Sequence, residues 1–118
     1  MSKKDLILLA LDASSFLELV KRALQAAGFD TAETHDRSGL EKTMQETSPS
    51  LLLISERLAG EAGIKLAAEQ LERFPTLPVL VYVEKDSGAV AKEVLAAGFS
   101  GYIFPPLRTD DIVTAVNK

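Results

Sequence analysis

The sequence predicts an α/β fold built on a doubly wound parallel sheet, and three observations predict it. Short apolar runs alternate with segments of helical periodicity along the whole chain. The connections between these segments are short, which favours parallel strands joined by right-handed helical crossovers. The 118 residues contain no internal repeat, linker or low-complexity tract, so we predict a single domain over residues 1–118.

Five strands are predicted from apolar runs and β-branched residues. The runs at 6–11 and 51–55 are short, continuous and bounded by polar residues, as in strands buried on both faces. Residues 79–83 are rich in β-branched and aromatic side chains. Residues 30–34 and 101–104 supply two shorter strands. The expected strand order is 2-1-3-4-5, which is the flavodoxin-like arrangement of a (βα)5 domain.

Five helices are predicted from their start and stop signals. Two capping boxes open the first two helices, Ser15 with Glu18 and Ser38 with Glu41. Gly28 ends the first of these helices, and Pro49 bounds the second. The third helix has one apolar face, formed by Ile64, Ala67, Ala68 and Leu71. The fourth ends at Gly98, and the polar residues 109–111 open the fifth.

Composition and charge argue against several classes of protein. The chain has no cysteine, so it has no disulfide framework, thiolate metal site or cysteine nucleophile. The formal net charge of −4 argues against nucleic acid as the main partner. The apolar run near the amino terminus is bracketed by Asp5 and Asp12 and is too short to cross a membrane. We therefore expect a cytoplasmic protein with no membrane partner.

Three stretches of the chain resemble the receiver domain of bacterial response regulators. They are SPSLLLIS in the third strand, LPVLVYV in the fourth strand, and LAAGFSGYIFPPL through the fourth helix and fifth strand. The last is the most specific, because its alanine-glycine pair, strand aromatic and proline follow the family's spacing. QAAGF after the first helix also fits. The resemblance covers nearly the whole chain and implies the receiver fold.

The resemblance also implies where a phosphorylation site would lie, and this sequence departs from that pattern. Receivers place an acidic pair after the first strand and a phosphoacceptor aspartate after the third. They place a threonine or serine after the fourth strand and a lysine before the fifth strand's proline. These positions fall on Leu11 with Asp12, on Ser55, on Val83 and on Pro105. Only Asp12 matches the family.

Each departure removes one part of the family's phosphoryl chemistry. Mg²⁺ prefers several oxygen ligands, and Asp12 beside Leu11 and Ser55 is a poor site, so we expect no metal and no other cofactor. A serine hydroxyl needs a base to activate it, whereas an ionised carboxylate does not. Without the lysine, the charge on a transferred phosphoryl group is not stabilised. We therefore expect no autophosphorylation and no enzymatic activity.

Four polar residues near the strand ends each have an interpretation in which they take no part in phosphoryl transfer or metal binding. Asp12 either helps to cap the first helix or keeps a metal role. Ser55 is either a small polar residue at a strand end or a hydroxyl phosphorylated by a separate kinase. Glu56 starts the next loop, where its carboxylate either is solvated or imitates a phosphorylated state. His35, the lone histidine, is expected to be a solvated loop residue.

The surface formed by the fourth helix, fifth strand and fifth helix is the one that receivers use for partners and dimers. Tyr102 falls on the family's switch aromatic, and Val83 cannot make the hydrogen bond to which that ring responds. Tyr102 and Phe104 lie two apart and therefore on one face, with Ala91 nearby on the fourth helix. The two rings either anchor an interface or pack in the core.

We interpret the chain as a degenerate receiver, or pseudo-receiver. Such a module of two-component or phosphorelay signalling keeps the fold and acts through a protein partner or a homodimer. The alternative is a receiver-like sensor that holds a small ligand in an apolar remnant of the phosphorylation pocket, since Leu11, Val83 and Pro105 are apolar. A preformed cavity would favour the sensor, and a filled site the interaction module. The resemblance also implies a cis bond between Pro105 and Pro106.

Overall fold

The computed structural model describes residues 5–12, 14–83, 88–104 and 109–117. Its strands are β1 (Leu6–Ala10), β2 (Asp30–Thr34), β3 (Leu51–Ser55), β4 (Arg57–Leu58), β5 (Glu61–Ala62), β6 (Val79–Tyr82) and β7 (Gly101–Ile103). Its helices are α1 (Ser15–Ala26), α2 (Arg37–Thr47), α3 (Gly63–Arg73), α4 (Gly88–Ala97) and α5 (Thr109–Asn117). Across these described ranges, no helix has the length and apolar character needed to span a membrane.

Five of the strands form one parallel sheet in the order β2-β1-β3-β6-β7, which confirms the predicted fold class and strand order. β6 and β7 are the fourth and fifth strands of the prediction. Side chains of α1 and α5 pack on one face of the sheet, and side chains of α2, α3 and α4 pack on the other. The sheet is therefore doubly wound, with a core on each face.

The central strands are apolar throughout because both of their faces are covered. In β1, Ile7 and Leu9 point into the α1/α5 core, while Leu8 and Ala10 point into the α2/α3/α4 core. All four side chains are fully buried. β3 alternates in the same way between the two cores, which explains the continuous apolar run at 51–54.

The helix caps differ from the predicted capping boxes by one and two residues. Ser14, rather than Ser15, caps α1 with an extended backbone, and its hydroxyl accepts the N–H three residues later at 3.2 Å. Asp36, rather than Ser38, caps α2, and its carboxylate accepts the N–H of Gly39 at 2.7 Å. An N-cap residue needs extended dihedral angles, and Ser15 and Ser38 already belong to their helices.

A two-stranded hairpin follows β3, where the sequence predicted only a short loop. β4 and β5 pair in antiparallel fashion with Leu58 opposite Glu61. Ala59 and Gly60 form the turn with φ angles of 51° and 81°, as in a type I′ turn. Leu58 is fully buried in the α2/α3/α4 core and anchors the hairpin. Strands of two residues are too short to show periodicity, so the pattern could not predict them.

Replacing Gly63, the first residue of α3, with alanine should destabilise the domain by about 2–3 kcal/mol. A Cβ at this position would overlap the backbone carbonyl oxygen of Ser55, and backbone cannot move aside as a flexible side chain can. Chemical denaturation measures the loss. Gly101→Ala is the matched control, because its Cβ would meet only a Leu80 methyl group at 3.6 Å. Equal effects of the two substitutions would contradict this packing argument.

Candidate functional site

The register of the sheet brings most of the predicted site residues to one edge. β1 pairs with β3 as far as Ala10, and β3 pairs with β6 as far as Ser55. Leu11 and Asp12 follow β1, and Val83 follows β6, at the same carboxyl edge. This arrangement agrees with the rule that pockets of open α/β sheets lie outside the carboxyl ends of the strands.

Two of the positions at this edge are filled by aliphatic side chains that belong to the core. Leu11 is 2% exposed and packs in the α1/α5 core. Val83 is 0% exposed and packs in the α2/α3/α4 core, and its N–H donates to the carbonyl of Ile103 at 2.9 Å. Neither side chain can hold an ion or a phosphoryl oxygen, so the edge is apolar at these two points.

The polar residues at the edge make hydrogen bonds to the hairpin. The hydroxyl of Ser55, which is half-buried, accepts the N–H of Arg57 at 3.3 Å. The Oδ1 atom of Asp12, an exposed residue, accepts the N–H of Ala59 at 3.2 Å. The cap of α1 is Ser14, so the expectation that Asp12 helps to cap that helix is wrong.

An ion-pair network joins the base of the hairpin to two helices. The guanidinium of Arg37 in α2 donates to Glu61 of β5 at 3.1 Å and to Glu69 of α3 at 2.8 Å. The hydrogen bond with Glu61 is the main cause of the raised pKa of Arg37, so the guanidinium stays charged. The sequence did not predict this network, because its members are 24 and 32 residues apart. In the described part of the chain, no three acidic or histidine side chains are grouped to hold a metal ion.

His35 lies in the connection after β2 and is exposed, in keeping with the predicted loop residue, but it also contacts the carboxyl edge. Its side chain is 46% exposed, but its Nδ1 atom donates to the carbonyl of Leu11 at 2.7 Å. A carbonyl oxygen only accepts, so Nδ1 carries the proton. The Nε2 atom lies 3.8 Å from Glu33, which also pairs with Lys21 at 3.1 Å and thereby raises the pKa of that ammonium group.

The aromatic residues of the edge were only partly anticipated. Tyr82, at the end of β6, stacks on Phe16 of α1 with ring centroids 3.9 Å apart. The ring of Tyr102 in β7 stacks on the ring of Phe104, which directly follows this strand, with centroids 5.9 Å apart. Tyr102 packs partly buried against the α2/α3/α4 core, whereas Phe104 is 38% exposed. Of the two alternatives predicted for these rings, Tyr102 follows the core contact. Phe104 is exposed, as an interface residue would be.

Three expectations fall outside the described residues. They concern Pro105 as the lysine position, the bond between Pro105 and Pro106, and the side chain of Ala91, which lies within α4.

A groove of about 770 Å³ lies between β7 and α5, away from the strand tips. Its lining includes Leu80, Gly101, Ile103, Asp111 and Ala115. None of the site positions Leu11, Ser55 or Val83 lines it.

Comparison with known proteins identifies the family and shows how much of its relatives' length this chain covers. The family model of the response regulator receiver domain matches residues 7–117. The photosynthetic apparatus regulatory protein RegA of Rhodobacter capsulatus is 26% identical over 110 residues, which cover 93% of this chain and 60% of that protein. The DNA-binding transcriptional regulator NtrC of Escherichia coli (strain K12) is 25% identical over 107 residues, covering 91% of this chain and 23% of that protein. This chain thus spans between 23% and 60% of the length of these relatives.

Comparison with solved structures gives the same fold. A putative response regulator from Chloroflexus aurantiacus superposes with a TM-score of 0.89 at 20% identity, covering 98% of this chain and 96% of that one. The chemotaxis response regulator CheY4 of Vibrio cholerae superposes with a TM-score of 0.86 at 17% identity, covering 98% of each chain. The strand order and the match over residues 7–117 agree, and the chain belongs to the response regulator receiver domain family.

Proposed function

We propose that this receiver domain is a pseudo-receiver, a two-component signalling module that acts through protein contacts without phosphorylation at the tip of β3. The observation that carries the proposal is the burial of Leu11 and Val83 in the two cores. A phosphoryl group needs charged and hydrogen-bonding partners, and these two positions offer only methyl groups.

The polar residues that remain at the edge support the same proposal. Asp12 already accepts a backbone N–H from Ala59, and Mg²⁺ binding would compete with that contact. Ser55 needs a general base to attack a phosphoryl donor, and its hydroxyl contacts the backbone N–H of Arg57. We infer that the domain has no phosphoryl chemistry of its own and works in the cytoplasm as the regulatory part of a signalling system.

The geometry favours an interaction module over the alternative, a sensor of small apolar ligands. Leu11 and Val83 are buried as members of the two cores, so their side chains are already packed against other apolar groups. The groove of about 770 Å³ is lined by residues of β7 and α5 and by Phe104, and not by Leu11, Ser55 or Val83. A ligand held in the remnant of the phosphorylation pocket would have to displace core side chains, at a cost in packing.

We propose the face formed by α4, β7 and α5 as the contact surface. Phe104 exposes 38% of its surface, and its ring stacks on Tyr102, which packs against the core. An exposed ring that stacks on a second, partly buried ring is held in place. Binding a partner protein therefore costs this ring little conformational entropy. Aromatic anchors of this kind often dominate protein–protein interfaces.

Titration with Mg²⁺ and then beryllofluoride should leave the amide NMR signals of Asp12, Ser55 and Val83 unchanged. Beryllofluoride imitates a phosphoryl group only on a carboxylate that has Mg²⁺ beside it, and Ser55 offers a hydroxyl. Ser55→Asp restores a carboxylate at the tip of β3 and is the matched variant. We expect its amide signals to stay unchanged too, because Leu11 and Val83 still supply no ligand. Saturable shifts at these amides in the unmodified chain would contradict the proposal.

Phe104→Ala should weaken self-association through the β7 face at least tenfold, because truncating a central aromatic anchor removes a large share of binding energy. Sedimentation velocity over a range of concentrations measures the dimer dissociation constant. Phe74→Ala is the control, since Phe74 follows α3 and lies outside the proposed face. If the unmodified chain stays monomeric at all concentrations, self-association is wrong and the partner is a different protein.

A further inference from the structure

The turn of the β4–β5 hairpin is held by a residue from a distant part of the chain. Oδ1 of Asp12 accepts the N–H of Ala59 at 3.2 Å, and the two residues are 47 positions apart. This hydrogen bond connects the tip of β1 to the tip of the hairpin. It uses the one acidic residue at the edge that matches the receiver pattern.

The turn held in this way has an unfavourable backbone conformation. Ala59 has a φ of 51°, in the left-handed region, where the Cβ of an L-residue crowds the carbonyl oxygen. Gly60, with a φ of 81°, carries no such penalty. Type I′ turns favour asparagine, aspartate or glycine at the position that Ala59 occupies. The closed hairpin therefore depends on contacts outside the turn.

The rest of the hairpin is fixed much more firmly than its tip. Leu58 is fully buried, and the carbonyl of Glu56 accepts the N–H of Gly63 at 2.8 Å. Arg37 holds Glu61 from α2. Ala59 and Gly60 are both exposed, so the tip has little apolar burial to stabilise it. Opening at the tip is thus separable from unfolding of the domain.

We propose that Asp12 is a latch that keeps the strained hairpin tip closed across the carboxyl edge, so that the hairpin is a two-state element. With the hydrogen bond made, the tip is tied to β1. Without it, the left-handed Ala59 relaxes and the tip opens about the buried Leu58. Asp12 acts here as a positioning residue through its carboxylate oxygen, and the latch requires no metal and no phosphoryl group.

Amide hydrogen exchange of the full 118-residue chain, measured by NMR without added metal, tests the latch. Asp12→Ala should accelerate exchange at Ala59 and Glu61 about three- to tenfold, the range expected for loss of one hydrogen bond. The amide of Leu52, in the centre of β3, reports global unfolding and should change much less. Asp12→Asn keeps an acceptor oxygen and should keep most of the protection.

Two further variants separate the latch from a general loss of stability. Asp30→Ala removes the same charge from an exposed residue at the start of β2 and should leave Ala59 exchange unchanged. Adding Ala59→Gly to Asp12→Ala should restore protection at Glu61, because glycine adopts the left-handed conformation freely. Unchanged exchange at Ala59 in Asp12→Ala, or acceleration by the same factor at Ala59 and Leu52, would overturn the proposal. Neither readout involves phosphorylation or self-association, so the outcome is independent of the proposed function.

Discussion

Burial of the central strands on both faces is the constraint on which the rest of this structure depends. Side chains of β1 and β3 enter two separate cores alternately, and those that do so are all apolar. Polar chemistry along such strands would leave unsatisfied groups away from water. Functional groups are therefore confined to the carboxyl edge of the sheet and to its exposed surfaces.

The same constraint explains why two positions at the carboxyl edge are apolar. Leu11 extends the α1/α5 core by one residue beyond β1, and Val83 extends the α2/α3/α4 core by one residue beyond β6. Full burial of such a side chain contributes about 1.5–3 kcal/mol. At both positions the aliphatic side chain adds hydrophobic stabilisation and offers no group that could bind a charged ligand.

The fold was predictable because its main signals are periodic and local. Continuous apolar runs identified β1 and β3, and the short connections fixed parallel pairing. The caps were harder, because Ser14 and Ser15 are adjacent residues of the same type and only the backbone angles distinguish them. A capping-box pattern at Ser38 concealed the stronger acceptor at Asp36.

The contacts of the edge were not predictable, for a different physical reason. The partners of Asp12, Arg37 and His35 lie between 24 and 47 residues away, and no local pattern specifies such pairs. The left-handed Ala59 has no signal either, because alanine is rarely found in that conformation. Departures from local rules concentrate at functional or strained positions, and Ala59 is such a departure at the carboxyl edge.

If the domain has no phosphoryl chemistry, as we propose, its edge needs another element with two states in order to influence the proposed contact surface. The backbone provides a route, since the N–H of Glu56 donates to the carbonyl of Tyr82 and the N–H of Val83 donates to that of Ile103. This ladder runs from the base of the hairpin through β6 to β7, next to the Phe104 ring. A hydrogen-bonded ladder in a packed sheet is rigid, so it can transmit a displacement but cannot originate one. The strained tip at Ala59 lies at one end of this route and the aromatic pair at the other. In our proposal the hairpin tip is the two-state element, and the ladder connects it to the aromatic pair.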